Sequence, residues 1–341
     1  MLSVNKVEKT SKIDKDKPFF VLSAVADLHI DYGVQDFDPP IRPGTLKTFE
    51  DVKALNVNAM AILGDVVSNN TGHGCTAESF DAVRRTVVES AKAAVSSGRV
   101  LYVDGNHDFG PGGAAFNSGN YNDVMKESCG EFIDSIYQQK ETEHVLGYHY
   151  IIDGVDIIGI NTPYEGGDKH SDYYYYPESM EWLDRMLEKI GADKTVIVLG
   201  HYPLRDSNNM YSPVKGASDT YDTDRRMHSI LAKYPNSIYL YGHDHGGPKI
   251  KNNVTERMTF YDSDGKVCGE VSGFITAFAG SVAYFDGALE KDDYYCIQSL
   301  LVSFYRDRIE FKMLNHKEPA IGGVKDVATF NVMRDLSQYV K

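Results

Sequence analysis

The chain has 341 residues, of which 42% are hydrophobic and 25% are charged, and it is long enough to bury most of its apolar surface in one large domain or two small ones. Its formal net charge of -14 disfavours general binding to nucleic acid, which needs an excess of Lys and Arg to neutralise phosphates. No run of about 18 apolar residues is present, which disfavours a membrane span.

The ends of the chain and its cysteines indicate where the domain lies and in which compartment. Residues 1–18 are polar and Lys-rich and lead into no apolar segment of signal-peptide type, so we expect an N-terminal extension over 1–18 and a single domain over 19–341. The four cysteines are far apart and form no C-x-x-C pair, which is typical of reduced thiols rather than a disulfide framework or a zinc knuckle. Together these features favour a cytoplasmic protein.

Strand and helix patterns alternate in the first third of the chain. Continuous apolar runs predict core strands at 19–26, 59–63 and 99–103. A short helix at 45–55 and a longer amphipathic helix at 76–94 separate them. This β-α-β-α-β order predicts a mostly parallel sheet with helices on its faces.

The rest of the chain continues with mixed elements and then turns β-rich. We predict a helix near 122–138, a hairpin around Asp153-Gly154, a helix from Pro177 to Gly191, strands at 195–199 and 237–241, and a helix near 224–233. From about Val254 the pattern is that of strands and hairpins. We expect residues 254–341 to complete the sheets of the domain.

Five short clusters of Asp, Asn and His each follow an apolar, strand-like run. They contain five of the eleven histidines and are Asp27–His29, Gly64–Asp65, Gly105–Asp108, Gly200–His201 and Gly242–His245. Strands deliver their last residues to one edge of a sheet, so these clusters can converge on one place. Their oxygen and imidazole ligands, without sulfur, suit two divalent metals, and this indicates a hydrolytic site.

The spacing within the clusters predicts which side chains share a side. Residues two apart in an extended chain point the same way, so Asp27 and His29 are expected to face one metal. His243 and His245 are expected to share a side as well, each facing a different ion. The glycine before Asp65 leaves room for a carboxylate that spans both ions. Each fragment alone is common in turns and on surfaces, and the ordered series of five is what indicates a metal site.

The ordered series D-x-H, G-D, G-N-H-D, G-H and G-H-x-H resembles the calcineurin-like metallophosphoesterase superfamily over residues 21–246. The resemblance implies an α/β fold, a four-layer α/β/β/α sandwich with the active site at the carboxyl ends of the strands and with 254–341 completing the sandwich. It also implies two divalent metal ions. One ion would be held by Asp27, His29, Asp65 and His245, and the other by Asp65, Asn106, His201 and His243, with Asp65 bridging.

The same resemblance implies the chemistry. A hydroxide that bridges the two ions attacks a phosphate ester, and His107 protonates the leaving alkoxide as general acid, unless it is only a structural neighbour of the ligands. Asp108 either supports that imidazole or is an ordinary loop aspartate. The ligand set fits manganese, iron or zinc. The expected substrate is a small-molecule phosphate ester, and both phosphodiesterase and phosphomonoesterase activity stay open.

Departures from related families narrow the class. Residues 64–70 lack an arginine like the one in the phosphoprotein phosphatase signature, which disfavours protein dephosphorylation. Ser68 stands where purple acid phosphatases carry a tyrosine ligand, which disfavours a tyrosinate-bound ferric ion. The G-N-H-D form looks more like the bacterial cyclic-nucleotide phosphodiesterase branch.

Substrate selection is expected in loops at the strand ends, at 69–74, 109–120, 162–176 and 202–223. The run Tyr173–Tyr176 either stacks on a nucleobase or lines a rim, or it packs before the helix at Pro177. Two other functions stay open. One is a metal-dependent nuclease on the same fold, which the acidic charge disfavours. The other is a non-catalytic scaffold, which is disfavoured because none of the ligands or the acid histidine is lost.

Overall fold

The computed structural model describes residues 17–30, 43–66, 77–105, 108, 129–138, 145–161, 175, 177–202, 204, 220–243, 254–261, 267–279, 298–316 and 325–339. The helices in these ranges are α1 (Pro43–Leu55), α2 (Ala77–Ala94), α3 (Pro177–Ile190) and α4 (Thr220–Lys233), with short 3-10 turns at Gly130–Phe132 and Ser337–Tyr339. The strands are β1 (Phe20–Val25), β2 (Ala59–Leu63), β3 (Val100–Val103), β4 (Ile133–Gln138), β5 (Val145–Ile152), β6 (Val155–Ile160), β7 (Val196–Leu199), β8 (Ser237–Tyr241), β9 (Val254–Tyr261), β10 (Val267–Phe278), β11 (Gln298–Phe304), β12 (Arg308–Asn315) and β13 (Lys325–Met333).

The described strands form two sheets. The first has six strands in the order β13-β12-β11-β1-β2-β3, and the second has seven in the order β4-β5-β6-β7-β8-β10-β9. Strands β1, β2 and β3 are parallel to one another, as are β6, β7 and β8. The carboxyl ends of the parallel strands therefore lie along one edge of each sheet. The β-rich segment after Val254 adds strands to both sheets, β9 and β10 to the second and β11 to β13 to the first.

The two sheets pack face to face, and helices cover their outer faces. Phe20, Leu22 and Ala24 of β1 belong to the core between the sheets, whereas Val25 packs with α1 and α2 on the other side. Side chains of α3 and α4 join the buried cluster of the second sheet. Because both faces of β1 are covered, its sequence is a continuous apolar run. The predicted four-layer α/β/β/α sandwich is confirmed.

Turn residues end the elements where the sequence places them. Asp153 and Gly154 both have positive φ, 52° and 85°, as a two-residue hairpin turn between β5 and β6 requires. Gly191 follows α3 with φ of 103°, and Gly98 follows the turn after α2 with φ of 69°. Residues 1–16 of the predicted extension lie outside the described residues.

The predicted helix near 122–138 is wrong in its second half, where Ile133–Gln138 forms the edge strand β4. This strand pairs antiparallel with β5. The partly buried Ile133, Ile136 and Tyr137 pack against the hydrophobic core, and their spacing is that of one face of a helix although the segment forms a strand. Pairing with the neighbouring strand decides between the two, and this is information that the local sequence does not carry.

Among the described residues, none of the helices combines the length and apolarity that a membrane crossing needs.

A buried chain of hydrogen bonds ties α1 to the end of β12. His316 Nδ1 lies 2.7 Å from Asp51 Oδ2, and His316 Nε2 lies 2.7 Å from the hydroxyl of Ser299. Burial lowers the pKa of His316 below its usual 6.5, although the hydrogen bond to Asp51 acts in the opposite direction. Burial also raises the pKa of Asp51, but hydrogen bonds from Lys47 and His316 outweigh this and leave it below 3.8. The folded chain therefore favours a neutral His316 beside an ionised Asp51.

The stability that His316 contributes is expected to fall with acidification. The unfolded state takes up this proton near pH 6.5 and the folded state only at lower pH, so acidification below pH 6.5 favours unfolding. At pH 7, His316→Gln should lower the free energy of unfolding by about 1–3 kcal/mol, because it disrupts two buried hydrogen bonds. Urea unfolding at pH 7, 6 and 5, at fixed metal concentration, should show the difference between the two proteins shrinking. A constant difference would contradict this assignment.

Candidate metal centre

The first sheet supplies two clusters at its carboxyl edge, just past the ends of β1 and β2. The Asp27 N–H donates to Gly64 O at 3.0 Å, and the His29 N–H donates to Asp65 O at 2.9 Å, so the pairing of the two strands continues beyond their ends. Asp27 and Asp65 are fully buried, and His29 is 5% exposed. The sheet thus fixes the backbone from which these three side chains project.

The second sheet supplies two histidines at the same edge of the sandwich. His201 follows β7 and His243 follows β8, and the Gly242 N–H donates to His201 O at 2.9 Å. His201 Nε2 and His243 Nδ1 lie 3.2 Å apart, with the rings nearly perpendicular at 78°. The His243 N–H also points at the Asp27 carboxylate, 3.0 and 2.9 Å from its two oxygens. Side chains of both sheets therefore meet at one point.

These residues form two groups that share Asp65. One group is Asp27, His29 and Asp65, the other is Asp65, His201 and His243, and in each the candidate ligand atoms lie within 4.8 Å of one another. Asp65 Oδ2 is 3.2 Å from His201 Nε2 and 3.7 Å from His29 Nε2. Asp65, the predicted bridging residue, is thus the residue that belongs to both groups.

The surroundings of His201 determine which of its nitrogens faces the site. Its Nδ1 donates to Leu63 O at 2.7 Å, so the Nε2 is the nitrogen that faces Asp65. Burial alone would lower the pKa of His201, but the charges of Asp65 and Asp27 and the hydrogen bonds outweigh burial and raise it to about 9. The site therefore attracts positive charge strongly enough to hold a proton on a fully buried imidazole.

Glycines make room for this convergence. A Cβ on Gly105 would collide with the Asp65 carboxylate. A Cβ on Gly64 would lie 2.5 Å from His201 Nδ1, and one on Gly242 would lie 3.1 Å from Asp27 Oδ2. A candidate ligand therefore excludes a side chain at Gly64 and Gly105, whereas the nearest obstacles at Gly242 are Ala26 Cβ and Leu63 O, at 2.5 and 2.9 Å.

The backbone at the ligands is not extended, which corrects the expected reason for their shared side. Asp27, His29, Asp65 and His243 have φ of 54°, 42°, 53° and 67°, all in the left-handed region that L-residues seldom adopt. Strand alternation therefore does not orient Asp27 and His29. Instead, a sharp local turn at each residue directs both side chains into the site.

A family model described as calcineurin-like phosphoesterase matches residues 22–247. The chain belongs to the calcineurin-like phosphoesterase family. This confirms the resemblance based on the motifs. No curated protein is significantly similar to the chain.

Several solved structures are similar to this calcineurin-like phosphoesterase. A dimetal phosphatase from Danio rerio has a TM-score of 0.56 and 16% sequence identity, and the match covers 93% of this chain and 99% of that one. GAP50, described as the anchor in the inner membrane complex of Plasmodium, has a TM-score of 0.48 and 12% identity, covering 94% and 91%. Vacuolar protein sorting 29 from Cryptosporidium parvum has a TM-score of 0.37 and 12% identity, covering 92% and 98%. At such identity the likeness to the Danio rerio structure shows the fold alone.

The residues of this phosphoesterase fit a pair of divalent cations. The donors are carboxylate oxygens and imidazole nitrogens, which suit manganese, iron and zinc. Two imidazole nitrogens 3.2 Å apart need a proton or a cation between them, because otherwise their lone pairs repel. Of the seven predicted ligands, Asp27, His29, Asp65, His201 and His243 come together as expected, and the following residues lie outside the described part of the chain: Asn106, His245 and the predicted acid His107.

Asp108, predicted beside His107, is buried and holds the backbone of two clusters. Its Oδ2 accepts the N–H of Asp65 at 2.8 Å, the N–H of Gly105 at 2.8 Å and the hydroxyl of Tyr102 at 2.6 Å. Its Oδ1 accepts the N–H of Val66 at 3.0 Å. Asp108 thus fastens the end of β2 to the loop after β3. Its support of the His107 imidazole stays a prediction.

Two residues that hold the carboxyl edge of the sheets together, Asn161 and Tyr102, were not predicted from the sequence. Asn161 follows β6 and joins the two sheets, because its side chain accepts the Asp104 N–H at 3.1 Å and donates to Val145 O at 2.7 Å. A polar residue directly after an apolar strand is the same signal that revealed the five clusters. Tyr102 had no such signal, since its hydroxyl acts from inside an apolar strand.

Of the run Tyr173–Tyr176, only Tyr175 lies within the described residues, and it is buried, in agreement with the packing alternative for that residue.

Asp108→Asn is expected to destabilise the fold by about 2–4 kcal/mol, because the amide would turn its NH₂ group toward backbone N–H donors and leave at least one of them unpaired. Asp193→Asn is the matched control, since Asp193 is exposed and should change stability by less than about 0.5 kcal/mol. Chemical unfolding of both variants with wild type measures the difference. Equal stability of the two variants would show that the Asp108 contacts are not formed in solution.

Proposed function

We propose that this chain is a metal-dependent phosphoric ester hydrolase with a binuclear metal centre, acting on small phosphomonoesters or phosphodiesters. The observation that carries the proposal is the buried Asp65 carboxylate shared by two groups of candidate ligands. Membership of the calcineurin-like phosphoesterase family supports metal-dependent hydrolysis of phosphate esters in general.

The residues divide into two sets around Asp65. Asp27, His29 and Asp65 would hold one cation, with His245, and Asp65, His201 and His243 would hold the other, with Asn106. When bound, such a pair of ions supplies a water of lowered pKa and neutralises charge at the phosphoryl group. The protein itself contributes the fixed positions of these ligands. The buried Asp65 and the backbone contacts of Asp27 and His29 keep those positions before any ion arrives.

A leaving alkoxide needs a proton, and we assign its donation to His107. This histidine is adjacent in sequence to the proposed ligand Asn106, and both stand between Gly105 and Asp108 in the chain. Asp108 is anchored to the end of β2 through the N–H groups of Asp65 and Val66. The anchor fixes the described residues Gly105 and Asp108, which flank Asn106 and His107 in the sequence, relative to Asp65.

Asp65→Asn is expected to weaken binding at both metal sites and to abolish activity, because one carboxylate serves both groups. The chelated protein should be reconstituted with manganese, iron or zinc and assayed on aryl phosphate monoesters and diesters. We expect wild type to bind two ions per chain and to turn over at least one ester class. Asp193→Asn, an exposed change, should behave as wild type.

The outcomes separate the competing functions. Full metal occupancy without turnover of any phosphate ester would favour a non-catalytic scaffold. Cleavage of single-stranded nucleic acid with manganese, faster than of any small ester, would favour a nuclease. Absence of metal binding by wild type would contradict the proposal itself.

His107→Ala is expected to leave the metal content near that of wild type and to reduce turnover according to the leaving group. Alkyl esters should lose roughly 10²–10⁴-fold in kcat, the usual contribution of a general acid, whereas nitrophenyl esters should lose far less because their leaving group needs no proton. The comparison of the two ester types within one variant is its own control. Loss of bound metal in this variant would mean that His107 acts as a ligand or as its support instead.

A further inference from the structure

Two buried tyrosine hydroxyls stand behind the metal ligand His201. Tyr175 precedes α3 and Tyr239 lies in β8, and their hydroxyl oxygens are 2.7 Å apart. The Tyr175 oxygen accepts the N–H of His201 at 3.0 Å and the N–H of Tyr202 at 3.3 Å. The Tyr239 hydroxyl donates to Tyr202 O at 2.7 Å. Both ends of this chain of bonds thus fall on one dipeptide, residues 201–202.

The direction of every bond in this chain is determined. A phenolic hydroxyl has one proton and two lone pairs. Because the Tyr175 oxygen accepts two N–H groups, its proton must go to the Tyr239 oxygen. The proton of Tyr239 then goes to the carbonyl of Tyr202. Phenylalanine at position 175 would remove the acceptor of the buried His201 N–H, and phenylalanine at position 239 would remove the donor to the Tyr202 carbonyl.

The two hydroxyls hold the backbone of His201 and its neighbour, whereas the His201 ring is held by a separate hydrogen bond. His201 Nδ1 is held by Leu63 O, and a Cβ on Gly200 would collide with both tyrosine hydroxyls. The glycine thus allows the hydroxyls to reach the backbone of His201. With the backbone and Nδ1 both fixed, Nε2 has one direction left, which is toward Asp65.

We propose that Tyr175 and Tyr239 are positioning residues for His201, and that they set the affinity of the metal site formed by Asp65, His201 and His243. This inference rests on the proposed function. The other candidate metal group includes Asp27 and His29 of the first sheet. The backbone N–H groups of these two residues donate to the carbonyls of Gly64 and Asp65. Loss of a tyrosine hydroxyl should therefore affect one of the two sites.

The test is calorimetric titration of chelated protein with Mn²⁺, comparing wild type with Tyr175→Phe and Tyr239→Phe. Wild type should show two binding events. Each variant should bind one of the two ions about 10–100-fold more weakly, as is usual when support of a metal-ligating histidine is lost, and the other within about twofold of wild type. The double variant should lose little more than either single one, because either change breaks the same chain.

Tyr339→Phe is the matched control. The Tyr339 hydroxyl bonds the N–H and the carbonyl of Thr195, directly before β7, at 2.8 and 2.9 Å. It therefore makes the same kind of contact at the opposite end of the strand that leads to His201. This variant should lose stability but keep both metal affinities.

The outcomes distinguish this inference from the proposed function. If wild type binds no divalent ion, the proposed function fails. If wild type binds two ions and Tyr175→Phe and Tyr239→Phe bind both equally well, the positioning role is wrong and the proposed function stands. The positioning role is also wrong if Tyr339→Phe weakens metal binding as much as they do, since the hydroxyls then act through general stability. If one of the two variants does not fold, the other decides.

Discussion

The burial of two carboxylates at the edge where the sheets meet is the constraint on which the site depends. Asp27 and Asp65 are fully buried, and a charge removed from water costs several kcal/mol unless opposite charge or hydrogen bonds compensate it. Part of the compensation is internal: Asp27 accepts the N–H of His243, and the pKa of His201 is raised to about 9 by the same carboxylates. A proton on His201 is a weak substitute for two divalent cations. Divalent cations beside these buried carboxylates would supply further positive charge, which is the physical basis for proposing metals at this edge.

The backbone at the ligands adds a second cost that points the same way. Four candidate ligands adopt left-handed φ, a conformation that costs roughly 1–2 kcal/mol for each L-residue. The hydrogen bonds that continue the pairing of β1 and β2 past their ends, together with the carboxylate of Asp108, hold the chain in this form. Strain that persists only because its surroundings enforce it is typical of functional sites. Here it replaces strand alternation as the device that turns Asp27 and His29 to one side.

The sequence predicted what is encoded locally and missed what is encoded by packing. The parallel strands and the five clusters, with their glycines, could be predicted from the sequence. Each is an apolar run with a polar residue at its end. Ile133–Gln138 could not, since its apolar spacing suits a helix and only the edge of β5 makes it a strand. The hydroxyl contacts of Tyr175 and Tyr239 were missed for a related reason. Their rings are ordinary core residues, and their function lies in hydroxyl contacts with a dipeptide 26 and 37 residues away in the chain, at His201 and Tyr202.

Each half of the metal centre is organised within its own sheet, and the packing of the sheets brings the halves into register. Tyr102 and Asp108 brace the Asp65 side from the first sheet, whereas Tyr175 and Tyr239 brace the His201 side from the second. Among the described residues, the halves are joined by His201 with Leu63 O, by the His243 N–H with Asp27, and by Asn161 with the Asp104 N–H. A cation held by Asp65, His201 and His243 would add to these links, and it would stabilise the folded state in proportion to the logarithm of its concentration over its dissociation constant. Because that cation would take ligands from both sheets, its binding energy would act on their docking, so the spacing of the sheets and the affinity for metal would constrain each other.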